Sequence, residues 1–392
     1  MDDVISRPSL VNPLGRIREL GPAILEAADT IERTRRIPEP LLTRLHDARL
    51  FRMLLPLSIG GDEIDPVTYI RTVEAASGCD GSIGWCLSIA NSTSLIAPYL
   101  DREIARQIFG APRATCAWGP PNDSIAKAAP GGYRVTGQWS FASGCRHSSW
   151  MGAHGNVVEP GSSLLLNRFG RPTIRTWLFP VEQATLIDTW DTIGLRGTAS
   201  DSYRVDDLFV SEEFSSTRED PELRREPGRL YAFPQQTMYS VGIASVALGL
   251  ARGMLDAFIE LACRKTPRGM TRLADGGVVQ AEVAKCEARL GAARAYLYDT
   301  LAEIYETADD VPPIDIPARG RVRLAGIHAI STAVGVADYT YKAAGVDAIF
   351  PGSPFMRRFR DIHTVSQQIQ SRDVHFETCG QIILGNPPEV FL

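Results

Sequence analysis

No Cys-x-x-Cys pair occurs in this sequence, and its seven cysteines, at positions 79, 86, 116, 145, 263, 286 and 379, are scattered and odd in number. That usage excludes a disulfide scaffold and a cysteine zinc centre; it fits small buried thiols kept reduced, and no metal site is expected. Excess charge of one sign is also missing. Lys and Arg number 41 against 46 Asp and Glu, a net of −5, which gives no broad attraction for nucleic acid or an anionic membrane. The opening MDDVISRPSL has neither the cationic end nor the apolar run of a signal peptide, and no apolar stretch nears the roughly 20 residues of a membrane span. A cytoplasmic location is therefore expected. Nor does a Gly-x-Gly-x-x-Gly follow a strand in a βαβ setting, so the chain lacks the usual nicotinamide dinucleotide site.

What remains is an ordinary folding sequence: 392 residues, 44% hydrophobic and 22% charged, enough for two or three packed layers. From Arg16 the apolar residues Ile17, Leu20, Ile24, Ala27 and Ile31 recur at helical spacing, and Leu41, Leu45 and Leu50 begin a second helix after Pro38 and Pro40. Strand signals start near Thr115, where short runs such as TCAW, YRVTGQWSF and SYRVDDLFV alternate with Gly, Pro and Asn-Asp clusters, predicting a small barrel or sandwich. From Tyr231 the pattern is helical again, with Ile243, Ala247, Leu250, Met254 and Phe258 on one face and Cys286, Leu290, Ala293, Leu297 and Leu301 on the next. The predicted organisation is α+β in three parts: a helical domain over 1–113, a β domain over 114–228 and a four-helix bundle over 229–392. Small residues in GIASVALGLARG suggest that the bundle also packs against other subunits.

The informative stretch is Gly131 to Trp150. Tyr133, Val135, Gly137, Trp139 and Phe141 alternate with Arg134, Thr136, Gln138 and Ser140, a period of two that sets large aromatics on one face of a strand ending at Ser143-Gly144. An aromatic, a hydroxyl and a glycine backbone at one strand end make a platform for a flat polar ring such as a flavin. Two other segments carry polar stripes. Trp85, Ser88, Asn91 and Ser92 share a face of a small-residue helix that either borders a ligand or satisfies neighbouring backbone. Asp361, Gln368, Arg372 and His375, at offsets of seven, four and three, share one face of the terminal helix.

WSFASG (Trp139 to Gly144), preceded by WGPPN (Trp118 to Asn122), resembles the flavin-cradling strands of the acyl-CoA dehydrogenase fold, and most closely the reduced-flavin monooxygenases within it. DGSIGW (Asp80 to Trp85), the segment from Trp190 to Val210 and the segment from Phe359 to Gly385 fall in the same order as in that family. The resemblance implies that Trp118, Pro120, Asn122, Trp139, Phe141, Ala142, Ser143, Gly144, Arg196 and Gln280 contact the cofactor. It places Trp85, Ser88 and Asn91 at the substrate pocket, with Trp85, Trp139 and Phe141 as its dry walls. The implied activity is oxygenation of a small aromatic or heteroaromatic molecule by O₂, through a C4a-hydroperoxide of reduced FMN or FAD. A separate flavin reductase is the implied partner, and a homotetramer the implied assembly.

The terminal segment departs from the family. Where the general-base histidine usually stands, this chain has Gln368, which cannot take up a proton at neutral pH. Either His363 or His375 serves instead, or the chemistry needs only substrate orientation; the candidate catalytic residues are thus Ser143, Gln368, His363 and His375. Two alternatives stay open. An acyl-CoA dehydrogenase would need a Glu base, which neither RDIHTVSQQIQ nor YAFPQQTMYSVGIAS offers, and its adenylate grip is reduced to Gln280. A flavin-binding relative without catalysis is the other.

Overall fold

In a computed structural model, residues 12–388 are described apart from 123, 160–162, 168–169, 218–219 and 310–312. Five helices open the chain: α1 (Pro13–Thr34), α2 (Glu39–Asp47), α3 (Pro66–Cys79), α4 (Gly81–Ser94) and α5 (Arg102–Phe109). Their starts are written in the sequence. Asn12, Asp65 and Asp80 each accept a hydrogen bond from a first-turn amide, which satisfies donors that the helix itself cannot. Every residue of α4 is buried, which explains its small side chains and the lack of a polar outer face.

Eight strands follow, β1 (Cys116–Trp118), β2 (Ile125–Ala129), β3 (Gly132–Ala142), β4 (Trp150–Val158), β5 (Ile174–Pro180), β6 (Thr185–Ile187), β7 (Asp201–Ser211) and β8 (Ser215–Ser216). They form one mixed sheet in the order β6-β7-β3-β2-β4-β5-β8, with β1 beside β4. The pairs β1/β4 and β2/β4 are parallel and the others antiparallel. Tyr133 on β3 and Trp177 on β5 stand three strands apart, about 14 Å in a flat sheet, yet their rings lie 5.7 Å apart. The sheet therefore rolls around an aromatic core that also holds Trp139, Tyr203 and Phe179.

The chain ends in α6 (Gln235–Arg264), α7 (Gly277–Thr307), α8 (Ile316–Ala344), α9 (Pro354–Ser366) and α10 (Val374–Ile383). Helices α6 to α9 share one hydrophobic core with α1, α3 and α4, and α10 packs on α8, so the two helical segments are a single body interrupted by the sheet. At its centre, α6 contains an 18-residue window with a mean hydropathy of 1.5, long and apolar enough to cross a bilayer by composition. Here 72% of that window is buried inside the protein, the environment of a core helix.

Two expectations from the sequence change here. The small residues of GIASVALGLARG do not mark a subunit interface; they are buried against helices of the same chain. Gly242 faces Ser88 and Tyr69, and Gly249 faces the Glu74 carbonyl and the Gly78 amide. The single terminal helix does not exist either. α9 stops at Ser366, Gln368 is extended at φ −71° and ψ 146°, a short 3₁₀ turn follows over Ile369–Ser371, and α10 starts only at Val374. Gln368, Arg372 and His375 thus share no helical stripe with Asp361.

A methyl group at position 249 would stand 2.3 Å from the Glu74 carbonyl oxygen, which is backbone and cannot swing aside. Gly249→Ala should push α3 from α6 and cost about 1–3 kcal/mol, read as a lower urea midpoint with an unchanged slope. A wild-type midpoint would show that the helices have room to spare.

Candidate functional site

β3 follows its alternation as far as Trp139 and then breaks it. Tyr133, Val135 and Trp139 point into the sheet's core, but the pairing with β7 slips between Trp139 and Ala142, and Phe141 takes φ +65°. This bulge turns the Phe141 ring outward, 61% exposed and edge-on to Trp190 at 6.2 Å. Trp139 is not a wall of the site. It has no exposed surface, stacks on Tyr203 at 5.2 Å, and donates from Nε1 to the His154 carbonyl at 2.7 Å.

Beyond the bulge, Ser143 meets the helical body. Trp85 on α4 donates from Nε1 to Ser143 Oγ at 2.9 Å, so two residues expected at the site are joined directly. Ser143 Oγ also lies 2.7 Å from Ser200 Oγ, which lies 2.7 Å from Thr198 Oγ1, and the Gly144 amide donates to the Thr198 carbonyl at 2.8 Å. Ser200, Thr198, Trp190 and Tyr239 escaped sequence reasoning. Small hydroxyls in a loop carry no periodic signal, and Trp190 and Tyr239 meet Phe141 and Gln368 only through long-range contacts.

Loop 194–200 ties sheet to helices. The Leu195 amide donates to Asp361 Oδ1 on α9 at 2.6 Å, and the Gly197 amide to Ser82 Oγ on α4 at 3.1 Å. Leu195 and Ala199 both adopt left-handed backbone, at φ +50° and +45°, a strain that such anchors must hold. Arg196, expected at the cofactor, is paired within the protein: Asp191 takes its Nη1 at 2.7 Å, Glu32 lies 3.9 Å from its Nε, and the Thr192 carbonyl accepts at 2.6 Å. The loop is a joint.

Several other expected contacts are structural. Asn91 is fully buried, donating to the Leu50 and Leu87 carbonyls at 2.8 and 2.9 Å and accepting from the Leu54 amide at 3.2 Å. Ser88 is likewise buried, with Tyr69 as its partner. Trp118 is half-buried, edge-on to His154 at 4.9 Å. Pro120 is exposed; Asn122 binds the Gln138 carbonyl and the Ser124 amide beside an open cavity of about 540 Å³, five residues upstream of Ser143 along β3. Gln280, near the start of α7, donates to the Ala274 carbonyl at 2.9 Å; α7 packs on α3, α6 and α8, so the single chain does not bring Gln280 to Ser143.

Gln368 donates from Nε2 to the Tyr239 hydroxyl on α6 at 2.9 Å and accepts from the Gln370 amide at 2.6 Å. Burial pushes the Tyr239 phenol up to about 12, so it stays protonated, and its own proton is not committed to Gln368. His363 pairs with Asp338 on α8 at 2.9 Å and packs on Phe359. His375 is buried, its Nε2 2.9 Å from the Ile369 carbonyl and its Nδ1 without a partner, and burial lowers its pKa. Among the described residues no hydrogen bond links either histidine to Ser143 or Gln368.

A rolled mixed sheet between two helical segments that share one core defines an acyl-CoA dehydrogenase-like protein, and residues 241–372 match the family described as "Acyl-CoA dehydrogenase, C-terminal domain". XiaF from Streptomyces sp., solved in complex with FADH2 and glycerol, has the same fold: TM-score 0.88, 24% identity, 97% of each chain covered. Within that class the sequence is more specific. It is 30% identical over 359 residues to the indole-3-acetate monooxygenase of Pseudomonas putida, covering 91% of this chain and 90% of that one. It is 27% identical over 360 residues to the flavin-dependent monooxygenase oxygenase subunit HsaA of Rhodococcus jostii, covering 89% and 91%. The chain belongs to this family of flavin-dependent monooxygenase oxygenase components.

Asp361 is fully buried, and desolvation, with Asp80 nearby, raises its carboxyl from 3.8 to about 7. The folded state therefore binds this proton more tightly than the unfolded chain, so the contribution of Asp361 to stability falls as pH rises from about 4 to about 7. Asp361→Asn keeps an oxygen for the Leu195 amide and should make the melting temperature decline less across that window. A decline as steep as wild type would mean that Asp361 does not titrate there.

Proposed function

We propose that this chain is the oxygenase component of a two-component system: it takes reduced FMN or FADH2 from a separate reductase and uses O₂ to place one oxygen atom on a small aromatic or heteroaromatic molecule. The observation that carries the reading is the end of β3. Phe141 leaves an aromatic ring uncovered beside Trp190, and Ser143, a hydroxyl with two bonds made, keeps a third hydrogen-bonding position. A flavin ring fits that pairing of an apolar face with a polar point. Phe141 and Ser143 would hold it, with Trp85 behind. When bound, reduced flavin supplies the electrons with which O₂ gives one atom to the substrate and one to water.

The chain's own residues provide shape and polarity. Trp85 and the buried hydroxyls keep water from Ser143 and strengthen its bonds by lowering the local dielectric. Gln368 and Tyr239 form a neutral pair that can orient a substrate oxygen or ring nitrogen: Tyr239 donates, and Gln368 fixes where it donates. Neither transfers a proton readily at neutral pH, which favours orientation over base catalysis. His363 and His375 have roles in holding α8 and the turn before α10. Exposed Val346, Ile349 and Phe350, and Ile383 and Leu384 near the C-terminus, support self-association, and a homotetramer in the cytoplasm is the assembly we propose.

Reduced FMN, ¹⁸O₂ and a panel of phenols and indoles should yield product carrying one ¹⁸O atom. Product without label, or bound flavin bleached by an acyl-CoA, would return the chain to dehydrogenase chemistry. Phe141→Ala should weaken reduced FMN roughly tenfold by removing the stacking face. Gln368→Ala and Tyr239→Phe should each lower turnover about fivefold to tenfold, one lost hydrogen bond, while flavin affinity holds. Wild-type turnover in both would remove the pair from the substrate site.

A further inference from the structure

The hydroxyls behind Ser143 form a chain whose direction its two ends fix. At one end Trp85 Nε1, which can only donate, gives its proton to Ser143 Oγ. At the other, Thr198 Oγ1 lies 2.8 Å from the Leu195 carbonyl oxygen. Two oxygens repel at that distance unless a proton lies between them, and the carbonyl has none, so Thr198 donates. The carbonyl is held there by Trp190 Nε1, at 2.9 Å, and by the Thr198 amide, at 3.1 Å. Each hydroxyl owns one proton. Since Thr198 has directed its own at Leu195, Ser200 must donate across the 2.7 Å contact to Thr198. Ser200 then has no proton for Ser143, so Ser143 donates across the 2.7 Å contact to Ser200. Ser143 is left with one unused lone pair and no unused proton.

We propose that this directed chain makes Ser143 a hydrogen-bond acceptor toward the site, and that Ser200 and Thr198 thereby set its preference for reduced over oxidised flavin. The inference rests on the flavin-binding reading above. Reduced flavin carries a hydrogen on N5 and can donate it to an acceptor. Oxidised flavin presents a bare nitrogen lone pair, which repels another. Thr198, Ser200 and Ser143 are 0%, 4% and 7% exposed, so water cannot easily enter and reverse the chain. Ser200 and Thr198 act through Ser143 and are positioning residues. Such a device suits a protein that must collect flavin in one redox state and release it in the other, with no nicotinamide site to reduce it in place.

The test compares dissociation constants of oxidised FMN, by fluorescence titration in air, and of reduced FMN, by anaerobic calorimetry. Wild type should bind the reduced form more tightly. Thr198→Val and Ser200→Ala each remove the acceptor that commits a proton inward, freeing the Ser143 proton to face the site. In both, the ratio of oxidised to reduced dissociation constants should fall about fivefold to tenfold, mainly through tighter oxidised FMN. The midpoint potential of bound FMN should then fall by about 20–30 mV. Trp85→Phe removes a donor into Ser143 but leaves its proton directed at Ser200, so the preference for reduced flavin should persist. A wild-type ratio and potential in both Thr198→Val and Ser200→Ala would overturn the proposal while leaving flavin binding intact. Failure of wild type to bind either form would overturn the flavin reading itself.

Discussion

The arrangement depends on how loop 194–200 is pinned between sheet and helices. Two of its residues sit in left-handed backbone at a cost on the order of 1–3 kcal/mol each, so the loop would relax if left alone. It is held from three sides: Asp361 on α9 takes the Leu195 amide, Ser82 on α4 takes the Gly197 amide, and Arg196 reaches Glu32 on α1. None of these ties spans fewer than 100 residues of chain. Fixing the loop fixes Thr198 and Ser200, and with them Ser143 and the end of β3. The polar point of the site is thus set by contacts that contain no ligand-binding residue.

The same strand shows why an aromatic pattern does not by itself locate a binding face. Up to Trp139 the alternation serves the sheet's own core, because a rolled sheet must fill its interior with large side chains. One extra residue at the bulge reverses the sense of the pattern. Trp139 becomes core and Phe141, two positions later, becomes surface, although both stand on one side of an ideal strand. Left-handed backbone at a phenylalanine, which gains nothing from it locally, marks the point where the chain stops building an interior and starts building a site.

This explains how much of the molecule could be read from its sequence. The helical spacing after Arg16, the strand-rich middle and the long apolar stripes of α6 and α7 follow from local rules and were legible. Ser143 and Trp85 could each be singled out from the sequence, but their contact could not. The bulge, the break after Ser366 and the destination of the small residues on α6 were not legible, because each is decided by partners distant in sequence. Gly249 packs on α3 rather than on another subunit because the Glu74 carbonyl lies opposite. Nothing in the surrounding dozen residues says so. Asn91 illustrates the converse: a polar side chain in an apolar helix looks like a ligand contact until its three hydrogen bonds are traced to Leu50, Leu54 and Leu87.

Asp361 shows why geometry must decide before titration does. A buried carboxyl shifted to about 7 is what a general base needs, and on that ground alone Asp361 would be a candidate for one. Yet one oxygen accepts the Leu195 amide, and the other lies by the start of α4, 3.0 Å from where a Gly81 Cβ would stand. It is buried because it bolts α9 to the joint, and its raised pKa is the consequence. Around Ser143 and Gln368, by contrast, the mapped hydrogen bonds run between neutral groups, and their information lies in which way each proton points. A site built that way controls orientation and the redox form of what it holds, and leaves the transfer of electrons and oxygen to the molecule bound there.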